Sequence, residues 1–104
     1  MLTNENIERI VRNVCKGKCD VDCTRSLTTR SLYFAITNGT IECWFRISDH
    51  KANTRIKTIV VSEHTKADAI ERFVKNRIEF LSVLTLDSLL GITRGRMPQC
   101  AYGV

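Results

Sequence analysis

The chain predicts an α+β domain: a three-stranded antiparallel sheet with an N-terminal helix and one or two C-terminal helices, in the order α-β-β-β-α(α). Three observations predict it. An amphipathic stripe opens the chain, an Asn-Gly pair joins two alternating runs near its middle, and a second helical stripe follows.

Ile7, Ile10, Val11 and Val14 fall at i, i+3, i+4 and i+7, one stripe of a helix over Asn4–Cys15. Thr3 or Asn4 can cap its start by accepting a backbone N–H. Glu5 and Glu8 sit near the positive end of the helix dipole, and Gly17 is a natural stop. Residues 16–30, rich in Lys, Asp, Thr and Ser, read as an irregular connection. Ser31–Thr37 and residues 40–48 then flank Asn38-Gly39, the pair favoured in a two-residue type I′ hairpin. That turn sets Tyr33 opposite Trp44 and Phe34 opposite Cys43. Alternation places Leu32, Phe34, Ile36, Ile41, Cys43, Phe45 and Ile47 toward the core and Tyr33, Glu42, Trp44 and Arg46 away from it.

A third strand is expected over 55–63, with Ile56 and Val60 on one face and Arg55, Lys57, Ile59 and Val61 on the other. Thr65-Lys66-Ala67-Asp68 opens the last helix in the manner of a capping box, and Ile70, Phe73, Val74, Ile78, Leu81 and Leu84 form its stripe. Thr85 can cap a new turn, which predicts a break near Leu84 and Thr85. Residues 1–93 thus form a single domain, and 94–104 an extended basic tail.

With 104 residues, 43% hydrophobic and 26% charged, the chain has the size and composition of one globular domain; a metal or partner could add stability, but size alone requires neither. The net charge of +5 suits nucleic acid or an acidic protein surface, although interleaving such as Glu71-Arg72 also reads as ordinary solvated faces. The polar N-terminus predicts no secretory signal, and no apolar run approaches the ~20 residues of a membrane span. Five cysteines cannot all pair within the chain, so an intracellular, reducing, cytoplasmic setting is expected.

Two constellations could carry chemistry. Cys15, Cys19 and Cys23 recur every four residues, within the spacing that thiolate zinc sites use. Zinc there needs a fourth ligand from Cys100, His50 or His64. The alternatives are redox pairing and plain packing, since Cys15 continues the helical stripe and Cys43 has a core phase. The other constellation is the sheet face carrying Tyr33 and Trp44 beside Arg46, Arg55 and Lys57. Rings and cations suit a protein partner's surface, or single-stranded nucleic acid with Arg94 and Arg96 adding phosphate contacts. A second layer over Tyr33, Trp44, Ile59 and Val61 is the purely structural alternative.

The α-β-β-β-α order resembles that of double-stranded-RNA-binding domains over most of the chain. Where those domains carry a lysine cluster at the start of the last helix, this chain reads His64-Thr65-Lys66-Ala67-Asp68-Ala69, with one lysine and an opposing carboxylate. The same order is similar to that of some small phage-encoded inhibitors, anti-CRISPR proteins among them. No dinucleotide or phosphate-binding glycine loop and no His-Glu-x-x-His is present. The expectation is therefore a small non-catalytic intracellular protein that docks onto a partner protein through an aromatic-basic sheet face. Virus or mobile-element origin and inhibition of nucleic-acid-acting machinery follow by analogy. The alternative is a nucleic-acid-binding domain, zinc-stabilised or not.

Overall fold

Six elements follow one another in a computed structural model that describes residues 1–90, with side chains through residue 86: α1 (Asn4–Cys15), β1 (Asp20–Arg25), β2 (Ser31–Thr37), β3 (Glu42–Ser48), β4 (Lys57–Val60) and α2 (Ala67–Leu90). The expected domain end at residue 93 and the basic tail 94–104 lie outside the described residues. No helix among the described residues is long and apolar enough to cross a membrane.

Helix α1 forms as its stripe predicts. The Thr3 side chain accepts from Asn6 N at 3.1 Å and the Asn6 side-chain oxygen accepts in turn from Thr3 N at 3.3 Å, a reciprocal cap. Ile7, Val11 and Cys15 are buried along one face, and Gly17 follows at φ +76°, beyond the reach of most side chains.

Among the described residues the sheet has four strands in the order β1-β2-β3-β4, not three. The expected irregular stretch 16–30 contains β1, antiparallel to β2, with Val21 and Cys23 turned toward the core and Asp20, Asp22 and Thr24 away from it. The observed order is α-β-β-β-β-α, so the topological likeness to double-stranded-RNA-binding domains does not hold.

The β2–β3 hairpin differs from expectation by two residues. Tyr33 pairs with Arg46, Phe34 with Phe45 and Ala35 with Trp44, and residues 38–41 make a four-residue connection. A type I′ turn needs positive φ at both central residues, yet only Gly39 has it, at +114°. Because the slip is even, every side chain keeps its predicted face.

Strand β4 runs parallel to β3, which corrects the all-antiparallel expectation. Lys57 lies beside Phe45, so the chain returns only three residues, about 10 Å, along β3. Connection 49–56 covers that distance without a helix. Its register also reverses the expected faces. Ile59 pairs with Ile47 and packs against the core, Val61 is buried just beyond, and Val60 is the exposed one.

Both helices cover one face of this sheet. Ile7 and Val11 of α1, Ile70, Val74, Leu81 and Leu84 of α2, and Leu32, Phe34, Ile36, Phe45 and Ile47 of the sheet form one cluster. Phe45 stacks on Phe34 at 5.1 Å between ring centroids and meets Phe73 edge-on at 5.6 Å. Helix α2 passes Thr85 without the expected break, because the Thr85 hydroxyl bonds back to Leu81 O at 2.8 Å rather than capping a new turn. Arg77 joins the buried stripe unexpectedly. Its guanidinium lies over the Phe80 ring and donates to Cys43 Sγ at 3.0 Å.

Candidate docking face

The sheet's outer face is defined by strand phase. From β1 to β4 its rows read Ser31, Ser48 and Val60; Thr24, Tyr33, Arg46 and Thr58; Asp22, Ala35 and Trp44; and Asp20, Thr37 and Glu42. The described helices both lie on the opposite side. Tyr33 and Trp44 are half-buried and occupy diagonal positions, within reach of one probe group. Ala35, only 5% exposed, stands directly across from Trp44. The indole N–H donates to Glu42 Oε1 at 2.7 Å, which fixes the ring's orientation on the face.

Arg46 shares the phase but not the exposure. Although it points outward, only 1% of it is accessible. The connection after β3 lays His50 over it. Nη1 donates to His50 O at 3.2 Å, and Nη2 donates to Ser31 Oγ at 3.1 Å and lies 3.2 Å from His50 Nε2. A guanidinium has no acceptor, so His50 Nε2 accepts and Nδ1 carries the ring proton. That proton points at Asp49 Oδ1, 2.8 Å away, with Ser48 Oγ also within 3.1 Å. Asp49 is held below its usual value, chiefly by this hydrogen bond to His50. The arrangement is not a nucleophile relay. Asp49 and Ser48 share one ring nitrogen, and the other is taken by Arg46, whereas a relay needs the base between acid and hydroxyl.

The Arg46 guanidinium also sits 6.0 Å from the Tyr33 ring centroid. Among the described residues its Nε has no hydrogen-bond partner, and no carboxylate forms an ion pair with it. Arg46 is therefore a clamp for connection 49–56, not a presented cation.

The other expected cations are not gathered here. Arg55 is exposed in the connection before β4, and Lys57 has the phase of Phe45, the helix-covered side, at the sheet edge. Arg94 and Arg96 lie outside the described residues. What the face does present is carboxylate. Asp20, Asp22 and Glu42 are all exposed and share its outer phase. The two rings thus lie on the outer face, whereas the cations expected beside them do not, and an acidic row stands in their place. Sequence reasoning missed Asp20 and Asp22 because β1 was missed. Its signal was present in the period-two alternation of Asp20-Val21-Asp22-Cys23.

The cysteine run is split by the fold. Cys15 ends α1, and Cys19 follows one turn later, its N–H donating to Cys15 O at 3.1 Å and its thiol beside that of Cys15. Cys23 sits on β1 facing α1, against Glu8. Desolvation pushes the Cys15 thiol up to about 12 and the Cys23 thiol up to about 11, the neighbouring Cys19 and Glu8 respectively adding to it. Cys19 is also raised, first by desolvation. Among the described residues no three His, Cys, Asp or Glu side chains are placed to hold a metal ion. His64 is exposed beside Glu63 and far from this pair in sequence, and Cys100 lies outside the described residues.

No protein-family model, curated protein or solved structure matches this chain. The face and the cysteine pair are thus read from their own chemistry.

Proposed function

We propose that this chain is a non-catalytic binding protein that engages a protein partner through the outer sheet face, centred on Trp44 and Tyr33. The supporting observation is the one-sided fold. Both helices serve a single core, and the opposite face carries two half-buried rings whose environment is already ordered by Ala35, Glu42 and Arg46. Pre-ordered aromatics lose little conformational freedom on binding, which is why Trp and Tyr dominate interface energetics. Occlusion of a partner's working surface, the action of a small inhibitor, asks nothing more of a chain this size. A reducing compartment, in which Cys15, Cys19 and Cys23 remain thiols, suits the reading. The nucleic-acid alternative loses ground on this face, where exposed Asp20, Asp22 and Glu42 oppose phosphate.

The test compares tagged wild type with a Tyr33→Ala/Trp44→Ala variant and with an Arg72→Ala/Lys75→Ala control on exposed α2 positions. Circular dichroism establishes that all three fold. A partner retained by wild type and the α2 control but lost from the aromatic variant fits the proposal. Retention by the aromatic variant overturns it.

A further inference from the structure

The charge on the outer face runs against the charge of the whole chain. The chain carries +5, yet among the described residues every exposed charged side chain at an outer-phase strand position is a carboxylate, while the one cation of that phase, Arg46, is buried under His50. Asp20 and Asp22 are alternate residues of β1, about 7 Å apart along the strand, and Glu42 lies about 10 Å across, two strands away. Trp44 borders this row, tied to it by its bond to Glu42.

We infer that the partner presents a cationic segment, two or three Arg or Lys side chains interspersed with apolar ones, to this aromatic-acidic face. The inference rests on the proposed docking role and names the chemistry of its partner. The apolar side chains meet Trp44, Tyr33 and Ala35. The cations meet Asp20, Asp22 and Glu42, whose spacing matches alternate residues of an extended segment and an additional one across the sheet. Complementary charge sets orientation and excludes acidic competitors, while the rings supply most of the affinity.

Trp44 is the only tryptophan in the chain, so its emission reports on this face alone. The full chain is titrated with three probes: a capped Leu-Arg peptide, Arg-Ser-Arg-Ser-Leu-Ser-Leu, whose alternate residues put both cations and both leucines on one face of an extended strand; its Leu-Glu counterpart, with Glu in place of Arg; and a single-stranded oligothymidine. The Leu-Arg peptide shifts Trp44 emission with a Kd that rises with salt, as screened ion pairs require. An Asp20→Asn/Asp22→Asn/Glu42→Gln variant weakens that binding about tenfold, the combined effect of three exposed pairs. A shift by the Leu-Glu peptide or the oligonucleotide of equal or greater affinity, or no shift by the Leu-Arg peptide, overturns the inference. So does an emission change with protein concentration, which would make a second copy the occupant. An emission change on Arg94→Glu/Arg96→Glu substitution without peptide does the same, by making the chain's own C-terminal residues the occupant. In the capture comparison above, a partner lost from the Tyr33/Trp44 variant but kept by the carboxylate variant removes this inference and leaves the docking role intact. A partner kept by both removes the docking role as well.

Discussion

Replacing Arg46 by methionine should leave stability nearly unchanged, although Arg46 is the largest fully buried side chain among the described residues. Its hydrogen bonds to His50 O, Ser31 Oγ and His50 Nε2 measure 3.2, 3.1 and 3.2 Å. At about 1.5 kcal/mol for each bond from a charged donor, they contribute roughly 4–5 kcal/mol. The Tyr33 ring, 6.0 Å away, adds about 0.5 kcal/mol. Against this stands a guanidinium removed from water with no carboxylate beside it, at a cost of several kcal/mol. The unpartnered Nε costs about 1–3 kcal/mol more. The two sides cancel. Methionine keeps most of the stem's packing without the charge, so Arg46→Met should lie within about 1 kcal/mol of wild type. Arg46→Ala also loses the stem and should cost about 2–3 kcal/mol. Urea unfolding followed by circular dichroism at neutral pH measures both. A loss above about 3 kcal/mol for Arg46→Met would refute the reasoning, because it would mean that the charge itself is strongly stabilised where it lies.

Phe45→Ala removes the ring that stacks on Phe34 and meets Phe73, and should destabilise the domain by about 3–5 kcal/mol in the same urea assay. Maleimide labelling at pH 7.5, read by peptide mass spectrometry, should modify half-exposed Cys19 well before Cys15 and Cys23, whose thiols burial pushes up to about 12 and about 11. Preferential labelling of Cys15 would contradict the described burial of that thiol. Glu8 is lowered from its ordinary 4.5, chiefly by its hydrogen bond with Arg12, 3.0 Å away, with Arg25 on its other oxygen at 3.2 Å. Its stabilisation is therefore complete above the unfolded value and lost as pH falls through the lower folded one. Glu8→Gln should cost about 0.5–1 kcal/mol at pH 7 and almost nothing at pH 2, where both chains are protonated or neutral there; equal costs at the two pH values would contradict the ion-pair account.

The elements that sequence made plain are those whose partner is their own periodicity. Helix α1 needed only the spacing of Ile7, Val11 and Cys15, and strands β2 and β3 only their alternation. What stayed hidden depends on neighbours. β1 is a short, half-exposed edge strand whose inner positions are only Val21 and a cysteine, too weak an apolar alternation to mark a strand by itself. The faces of β4 could not be read from Ile56 to Val61, where apolar residues stand consecutively and only pairing with Ile47 decides the phase. The parallel direction of β4 follows from a return of three residues, a distance no local pattern encodes.

The site divides in the same way. Trp44 and Tyr33 were legible because phase alone places them outward. The withdrawal of Arg46 was not, since it requires connection 49–56 to fold back and set His50 upon it. Nor was the displacement of Lys57 to the other face, which follows from its pairing with Phe45. A face expected to be aromatic and basic therefore turns out aromatic and acidic.

The most direct test of docking through this face is photo-crosslinking in the native cell, with p-benzoylphenylalanine in place of Trp44 or, separately, in place of exposed Arg72 on α2. The account predicts a discrete adduct to one protein from position 44 and none from position 72. Adducts from position 72 with none from position 44 would contradict it.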